Sequence, residues 1–404
     1  MRSDFDAVII GAGPAGSAAA ILLARAGLSV ALVEKERFPR RKVCGECIAA
    51  SNLPLLDALG IGAALEASAG PELRQVGLMR GASCIVADLP PAPDAGSRWG
   101  RALGREKFDT LLLDQARAEG ALVLQPWRVS AIDGQRCRLD AGDSSATMMV
   151  QARVIVAANG SWEALPSARQ VRTVGRKPSD LFAFKANFRD TSLQPGLLPV
   201  LSFDGGYGGM VVAGDGMTTV ACCVRRDRLQ SARRAAPGLR AGDAIESLLQ
   251  RECGGVEAAL QTATRAGPWI AAGPLDPGVH LIAGETFFRI GNAAGEAHPI
   301  IGEGISMALQ SAFLLCTHLI TTLPSVRMPD QAWRHDVGRR YAAEWRRAFE
   351  PRLMLAATFA HAAMRNSSGR ALLALGHVWP GLLTHGARWS GKVRSAADPD
   401  AAMR

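Results

Sequence analysis

The chain has 404 residues, room for two or three domains with shared cores. Charged residues make up 21% and apolar ones 48%, which excludes a disordered chain, and the net charge of +9 is gathered in one place: from Arg327 onward thirteen Lys/Arg stand against six Asp/Glu. No uninterrupted apolar run reaches the roughly 18 residues of a membrane span, strand-forming residues begin almost at once, and the eight cysteines lack regular spacing, so the chain reads as a cytoplasmic protein with reduced thiols.

The first elements are strand, turn, helix and strand. An apolar run over 7–10 enters Gly11-Ala12-Gly13-Pro14-Ala15-Gly16, a small-residue helix with a Leu-rich face follows, and a second apolar strand ends at Glu34. This is a dinucleotide fingerprint. Gly11 permits the turn, Gly13 lets backbone N–H groups approach a pyrophosphate, and Gly16 brings helix and strand together, with Pro14 and Ala15 opening the helix. Glu34 at the strand tip suits a ribose 2′-OH and would repel a 2′-phosphate.

A basic segment comes next, Lys35-Glu36-Arg37-Phe38-Pro39-Arg40-Arg41-Lys42-Val43-Cys44-Gly45-Glu46-Cys47. A nucleotide-binding strand ending in Glu, followed by Pro-Arg-x-Lys-x-Cys-Gly, resembles the geranylgeranyl reductase-like branch of the FAD-dependent oxidoreductases and monooxygenases that share the p-hydroxybenzoate hydroxylase fold. The resemblance implies FAD as cofactor, with Cys44 and Gly45 beside the isoalloxazine ring. It implies that Arg40 and Lys42, with Lys35, position the cofactor or an anionic substrate group. Cys44 and Cys47 also form a C-x-x-C, which in a thioredoxin-like unit is a redox dithiol; a third reading is a pair of packed thiols without chemistry.

Residues 51–70 read as two short helices broken at Gly60, and 73–89 as a strand-like stretch before a Pro-rich loop to Arg98. After Gly104, the spacing of Phe108, Leu111, Leu112 and Gln115 predicts an amphipathic helix headed by Arg105. A cation at a helix start opposes the macrodipole, which favours an anionic partner. The resemblance places that partner at the FAD phosphates and ribityl chain. Short strands follow at 121–124 and around Val129, a further candidate cofactor contact. An apolar strand over 154–158 runs into Asn159-Gly160-Ser161, with Gly160 at the cofactor, where the family usually has Asp-Gly. Asn159 drops that charge, and no second GxGxxG serves a nicotinamide nucleotide. The reductant is therefore either NAD(P)H docking transiently or an electron-transfer protein.

From about residue 166 the texture turns to period-2 alternation. Phe182, Phe184, Ala186 and Phe188 against Ala183, Lys185, Asn187 and Arg189 predict a half-buried antiparallel strand. Residues 206–212 and 218–224, joined through Gly214-Asp215-Gly216, predict a hairpin. Tyr207 is a candidate substrate-facing hydroxyl, equally explained as a good strand residue. The reductase-like branch often has Tyr-x-Trp here, and Gly209 in place of the Trp implies a more open pocket wall. A helical segment over 241–260 and a strand near Trp269 complete the insert.

The chain then returns to the cofactor. Gly291-Asn292-Ala293-Ala294, then Pro299, then Gly302-Glu303-Gly304-Ile305 resemble the family's second signature, in which a strand, Gly-Asp-Ala-Ala, a Pro and Gly-x-Gly open a long helix. Asn292 replaces the Asp and can still bond a ribityl hydroxyl. Gly302 and Gly304 let the backbone lie against the flavin, and the helix start favours an anionic reduced ring. His298 either bonds the flavin, acts on substrate, or serves the turn. Beyond 327, Trp333, Tyr341, Trp345, Phe349, Leu353, Met354 and Phe359 among arginines suit either peripheral membrane contact or an Arg-rich helix packed on the main domain. No nucleic-acid motif accompanies the charge.

Together these readings predict an α/β chain. A Rossmann-like FAD-binding domain of the p-hydroxybenzoate hydroxylase fold takes residues 1–75, 100–165 and 273–326. An inserted antiparallel β-sheet substrate domain takes 76–99 and 166–272, and a basic helical C-terminal region takes 327–404. The expected function is an FAD-dependent oxidoreductase acting on a lipophilic small molecule, by hydride transfer between flavin N5 and a carbon–carbon double bond. Cys44, Tyr207 and His298 are the catalytic candidates, and no metal is expected. One alternative is a monooxygenase hydroxylating an aromatic or polyketide substrate through a flavin hydroperoxide. Another is a non-catalytic flavin protein docked on membranes. A flavin halogenase is disfavoured, since the chain has no Trp-x-Trp-x-Ile-Pro.

Overall fold

The computed structural model describes residues 3–142, 144–161, 165–166, 177–389 and 398. Parts of the expected insert before residue 177 and most of the tail beyond 389 lie outside these. The first sheet is built on the strand Asp4–Ile10, with Val30–Val33 on one side and Thr147–Ala157 on the other, all parallel. Leu122–Leu124 extends it beyond Val30–Val33, and Phe288–Arg289 pairs with the far end of Thr147–Ala157. Residues 7–10 are apolar and buried, as a parallel strand covered on both faces requires. The helices Pro14–Arg25 and Gly304–Thr322 share one core on one face of this sheet.

The second sheet runs in the order Thr264–Arg265, Leu181–Arg189, Thr218–Arg225, Gly206–Val212, Leu197–Phe203, Gln75–Arg80 and Ser83–Asp88. Its pairings are antiparallel except that Leu197–Phe203 and Gln75–Arg80 run parallel, so the sheet is mixed rather than purely antiparallel. The stretch 73–89 is a hairpin turning at Gly81, and this earlier piece of chain enters the sheet beside a strand more than a hundred residues later. The helix pair Leu53–Ala58 and Gly62–Ser68 breaks at Gly60, whose φ is +84, as the sequence predicts. A helix over Arg226–Ala235 is an element that the sequence pattern did not reveal.

The alternation along Leu181–Arg189 is only half realised. Phe184, Ala186 and Phe188 pack on the core shared with the helices Ala241–Glu252 and Gly254–Leu260. Lys185, expected on a solvated face, is completely buried, because the other face of the sheet lies over the nucleotide-binding half of the chain.

The helix Gln331–Met364 carries Tyr341, Trp345, Phe349 and Leu353 on one stripe, buried in the same core as Gly304–Thr322. The Tyr341 hydroxyl donates to the Arg289 carbonyl at 2.8 Å. These side chains therefore pack on the main domain and do not form a lipid-facing surface. Gly304–Thr322 itself is long and apolar enough to cross a membrane by length and composition, which corrects the reading from uninterrupted runs. It is nevertheless a core helix. Ser306 and Gln310 bond Asn52 (2.8 and 3.1 Å), and Ser311 accepts from Gly291 N at 2.8 Å. The last helices, Asn366–Val378 and Gly381–Trp389, lie on the second sheet. Arg80 donates to Ser202 Oγ (2.7 Å), the Ala363 carbonyl (3.0 Å) and Asn366 Oδ1 (3.3 Å), and Thr384 Oγ1 donates to the Asp88 carbonyl (2.7 Å).

Candidate active site

The glycines of the two signatures divide into two kinds. A Cβ on Gly11 would lie 2.5 Å from the Ala158 carbonyl oxygen, and one on Gly16 only 1.9 Å from that of Gly11. Their bareness serves the protein's own packing. A Cβ on Gly13 would meet nothing nearer than Arg105 Nη2 at 4.0 Å, and one on Gly45, Gly160 or Gly304 would meet nothing within 4 Å. These four border open space, as close approach of a ligand demands. No side chain caps the first turn of Pro14–Arg25 or of Gly304–Thr322, so both helix starts can offer N–H groups to an anionic ligand.

Charge is concentrated beside that space. Glu34 is buried at its strand tip; its Oε2 accepts from Ala12 N at 2.9 Å, its Oε1 from Glu36 N at 3.0 Å, and Arg40 Nη2 stands 3.6 Å away. Arg40 Nη1 lies 3.4 Å from Asp109, yet Arg40 Nε and Nη1 are buried without a hydrogen-bond partner. Arg105 grips Asp109 with Nε and Nη2 at 2.7 and 2.8 Å. Burial works to lower the Arg105 pKa, but the Asp109 carboxylate, helped by Cys44, raises it above the ordinary guanidinium value. Lys42 is brought down to about 8 by burial and by the charges of Arg40 and Arg105. A cluster that depresses its own lysine and leaves arginine donors unmet is short of negative charge, and a diphosphate would supply it. These residues fit FAD.

The cradle opens into a chamber, the whole cavity measuring about 740 Å³. Val43, Cys44 and Gly45 border it with Pro299 and Ile300 on the cradle side; Ala183, Tyr207, Gly209 and Cys223 come from the second sheet. Apolar side chains line it away from the cradle, with Val76, Leu78 and Val200 from the sheet, Phe359 from Gln331–Met364, and Leu372 and Leu383 from the two helices that follow. Of the residues expected at the site, Gly16, Glu303 and His298 stand behind the wall and the others border the cavity. Gly16 is in the helix–strand contact. Glu303 is buried with Arg352 Nη1 3.4 Å from its Oε2.

His298 reaches the chamber only through Tyr207, whose hydroxyl is 3.2 Å from His298 Nδ1. Burial, with the His361 charge, lowers the His298 pKa to about 4, so the imidazole is neutral at neutral pH. Burial, reinforced by Cys223, raises Tyr207 well above its usual range and keeps its proton in place. Asn292 Nδ2 donates to Ser161 Oγ (2.9 Å), which donates to Glu296 Oε1 (3.0 Å), joining the two signature loops. Cys44 and Cys47 are both free thiols. Cys47 sits in the short strand Cys47–Ile48 against Arg101–Ala102 and no helix starts at Cys44, so the setting of a thioredoxin-like dithiol is missing.

Two residues of the site were not singled out in the sequence. Glu46, next to the Cys44-Gly45 turn, has φ +60 and is buried. Its carboxylate accepts from Lys185 Nζ, from Thr219 Oγ1 and, at 2.9 Å, from Arg105 N. Both side chains of the Glu46–Lys185 pair are fully buried, and the pair ties the second sheet to the cradle.

A family model described as "FAD binding domain" matches residues 4–330. Menaquinone reductase of Mycolicibacterium smegmatis is 28% identical over 357 residues, 85% of this chain and 82% of the relative. Digeranylgeranylglycerophospholipid reductase 1 of Methanopyrus kandleri is 24% identical over 377 residues, 86% of this chain and 87% of the relative. Among solved structures, the myxobacterial chondrochloren halogenase CndH superposes with a TM-score of 0.73 at 21% identity, covering 100% of this chain and 96% of that one. A geranylgeranyl bacteriochlorophyll reductase-like protein of Thermoplasma acidophilum gives 0.70 at 17% identity, covering 100% and 96%. At such identities the solved structures establish a shared fold, that of the p-hydroxybenzoate hydroxylase type, and carry no substrate with it.

Proposed function

We propose that this chain, which belongs to the FAD-binding domain family and is an FAD-dependent oxidoreductase, reduces a carbon–carbon double bond in a lipophilic, polyprenyl-type substrate. The observation that carries this reading is the continuity of the cradle with a chamber lined by Val76, Leu78, Val200, Phe359, Leu372 and Leu383. Each methylene buried there contributes about 0.8 kcal/mol to binding, so the chamber selects for long hydrocarbon chains. Relatives named for menaquinone and for a digeranylgeranyl phospholipid support the same substrate class.

When bound, FAD supplies the hydride chemistry. The chain's own residues do the rest. The helix starts at Gly13 and Gly304, with Arg40, Lys42 and Arg105, would hold the anionic part of the cofactor, and Glu34 would take the ribose. The Cys44-Gly45 turn and Gly302, which line the cavity, would border its ring. Reduction of a double bond consumes one hydride and one proton, and the proton is assigned to the Tyr207 hydroxyl, 3.2 Å from His298 Nδ1. The tyrosine O–H bond would break as the C–H bond forms, with water entering the cavity returning the proton afterwards. His298 is thus a positioning residue, while the Cys44 thiol faces the cavity from the cradle side.

The test uses the photoreduced holoenzyme under anaerobic conditions, so that the identity of the natural electron donor does not matter. Mixed with a geranylgeranyl lipid that carries no quinone, it is expected to reoxidise and to yield product heavier by two hydrogens. Reoxidation that requires O₂ and gives product heavier by one oxygen overturns the reading in favour of the monooxygenase.

A further inference from the structure

We propose that the terminal helices Asn366–Val378 and Gly381–Trp389 seat the protein on an anionic lipid bilayer, with Leu375, Val378 and Trp379 entering the interface. This deepens the lipophilic-substrate reading and rests on it for its purpose, though not for its test. The sequence from 351 to 397 contains no Asp or Glu, while Arg365, Arg370, Arg388, Lys392 and Arg394 fall within it, besides Arg352, which turns inward to Glu303 and Gln310. Such an acid-free, basic stretch complements a surface of anionic headgroups.

The packing of Asn366–Val378 is inverted with respect to a helix that serves a core. Its buried residues are Gly369 and Gly376, which lie against Arg80 and Ile85 of the second sheet. Of its larger apolar residues, Leu372 turns to the chamber, whereas Leu375 is 49% exposed and Val378 85%, and Trp379, which follows, is 52% exposed. Met354, on the preceding helix, is 72% exposed. Glycines against the sheet with Leu375 and Val378 outward is the arrangement of a helix that meets sheet on one side and an apolar medium on the other. A tryptophan at the end of such a face suits the headgroup level.

The inner sides of the same helices, at Leu372, Gly376, Leu382 and Leu383, wall the chamber. The exposed face is therefore one helix away from the place where a lipid tail would be held. Because Arg80 and Thr384 fasten these helices to the sheet, a bilayer contact would hold the whole molecule with the chamber next to the lipid.

The test is co-sedimentation of full-length holoenzyme with phosphatidylglycerol–phosphatidylcholine vesicles and with pure phosphatidylcholine vesicles, at low and high salt. Wild type is expected to favour the anionic vesicles and to be released by salt. Leu375→Glu/Val378→Glu is expected to lose about tenfold or more in vesicle affinity, and Arg370→Glu alone to lose a measurable part, both retaining flavin. Arg370→Glu, an exposed single change, carries the test should the double variant not fold. Wild type that ignores the vesicles, or variants that bind as wild type does, overturns the docking. So does a lipid-free dimer that Leu375→Glu/Val378→Glu dissociates, since the face would then belong to a second copy. If the vesicles bind but no polyprenyl lipid is reduced, the substrate reading falls and the docking stands. Reduction of a detergent-dispersed geranylgeranyl lipid by protein that ignores vesicles gives the converse.

Discussion

Replacing Gly13 by valine separates ligand approach from folding. The backbone at Gly13 is extended, φ −72 and ψ −177, and its Cβ would meet only Arg105 Nη2 at 4.0 Å. The apoprotein should accept the valine within about 0.5 kcal/mol, the range of substitutions that touch nothing. The isopropyl group, however, stands where the diphosphate must come against the helix start. Each N–H bond to a charged acceptor contributes about 1.5–3 kcal/mol. Losing one, at about 2 kcal/mol, weakens FAD about 30-fold, and losing two approaches 1,000-fold. Gly16→Ala is the opposite case, since its Cβ would sit 1.9 Å from the Gly11 carbonyl oxygen and must push helix from strand, at about 1–3 kcal/mol of stability or more. Flavin content on purification, FAD titration of the stripped proteins and thermal melts of the apo forms distinguish the two. A Gly13→Val protein that binds FAD like wild type, or whose apo form melts as low as that of Gly16→Ala, refutes the division of the glycines.

Lys185→Met leaves the Glu46 carboxylate buried without its cation, an arrangement expected to cost about 3–5 kcal/mol in denaturant titrations. Adding Glu46→Gln should recover part of that, and a single variant as stable as wild type would count against the pair. His298 has an ordinary pKa of 6.5 when unfolded and about 4 in the fold. Below about pH 6.5 the unfolded imidazole takes a proton that the folded one refuses until about pH 4, so stability is full above this window and falls across it, by about 3 kcal/mol. Unfolding curves of wild type and His298→Asn between about pH 7 and pH 4 should diverge in slope, the variant being flatter; parallel curves contradict the assignment. Tyr207→Phe keeps the ring and removes the hydroxyl beside His298. It should retain FAD and slow product formation about 100-fold, and an unchanged rate would move the proton elsewhere.

What the sequence made legible is what depends on residue type alone. Gly11 needs φ +102 and Gly60 needs +84, and only glycine adopts such angles freely, so both turns announce themselves. Lys185 could not be read in this way. In the strand Leu181–Arg189 it has the pattern of a solvated cation, and its burial depends on Glu46, 139 residues earlier. The stripe of Tyr341, Trp345, Phe349 and Leu353 is apolar at helical spacing whether it meets core or lipid. Only the placement of Gly304–Thr322 against it decides for core. His298 lies between two cofactor turns in sequence, yet its ring points to Tyr207 and to His361, 5.4 Å away between centroids. The parallel entry of the 75–88 hairpin follows from no local pattern, because both its strands alternate as any hairpin's do.

The two ends of the cavity are built by opposite physics, and the Glu46–Lys185 pair stands where they meet. At the cradle, backbone N–H groups and three cations gather negative charge; at the far end, aliphatic side chains exclude it. A fully buried ion pair between the two is not economical as a source of stability, since a well-packed apolar replacement of similar volume is often as good or better. Its geometry points to placement instead. One carboxylate receives Lys185 and Thr219 from two strands of the second sheet and Arg105 N from the head of a cradle helix. It does so from a non-glycine residue at φ +60, a conformation that costs about 1 kcal/mol or more unless the surroundings hold it. Three donors hold it, and the next residues upstream are the Gly45 and Cys44 that border the cavity. The Cys44-Gly45 turn therefore takes its position from the sheet that carries Tyr207, so that the cradle side and the sheet side of the cavity are set against each other by a single buried carboxylate.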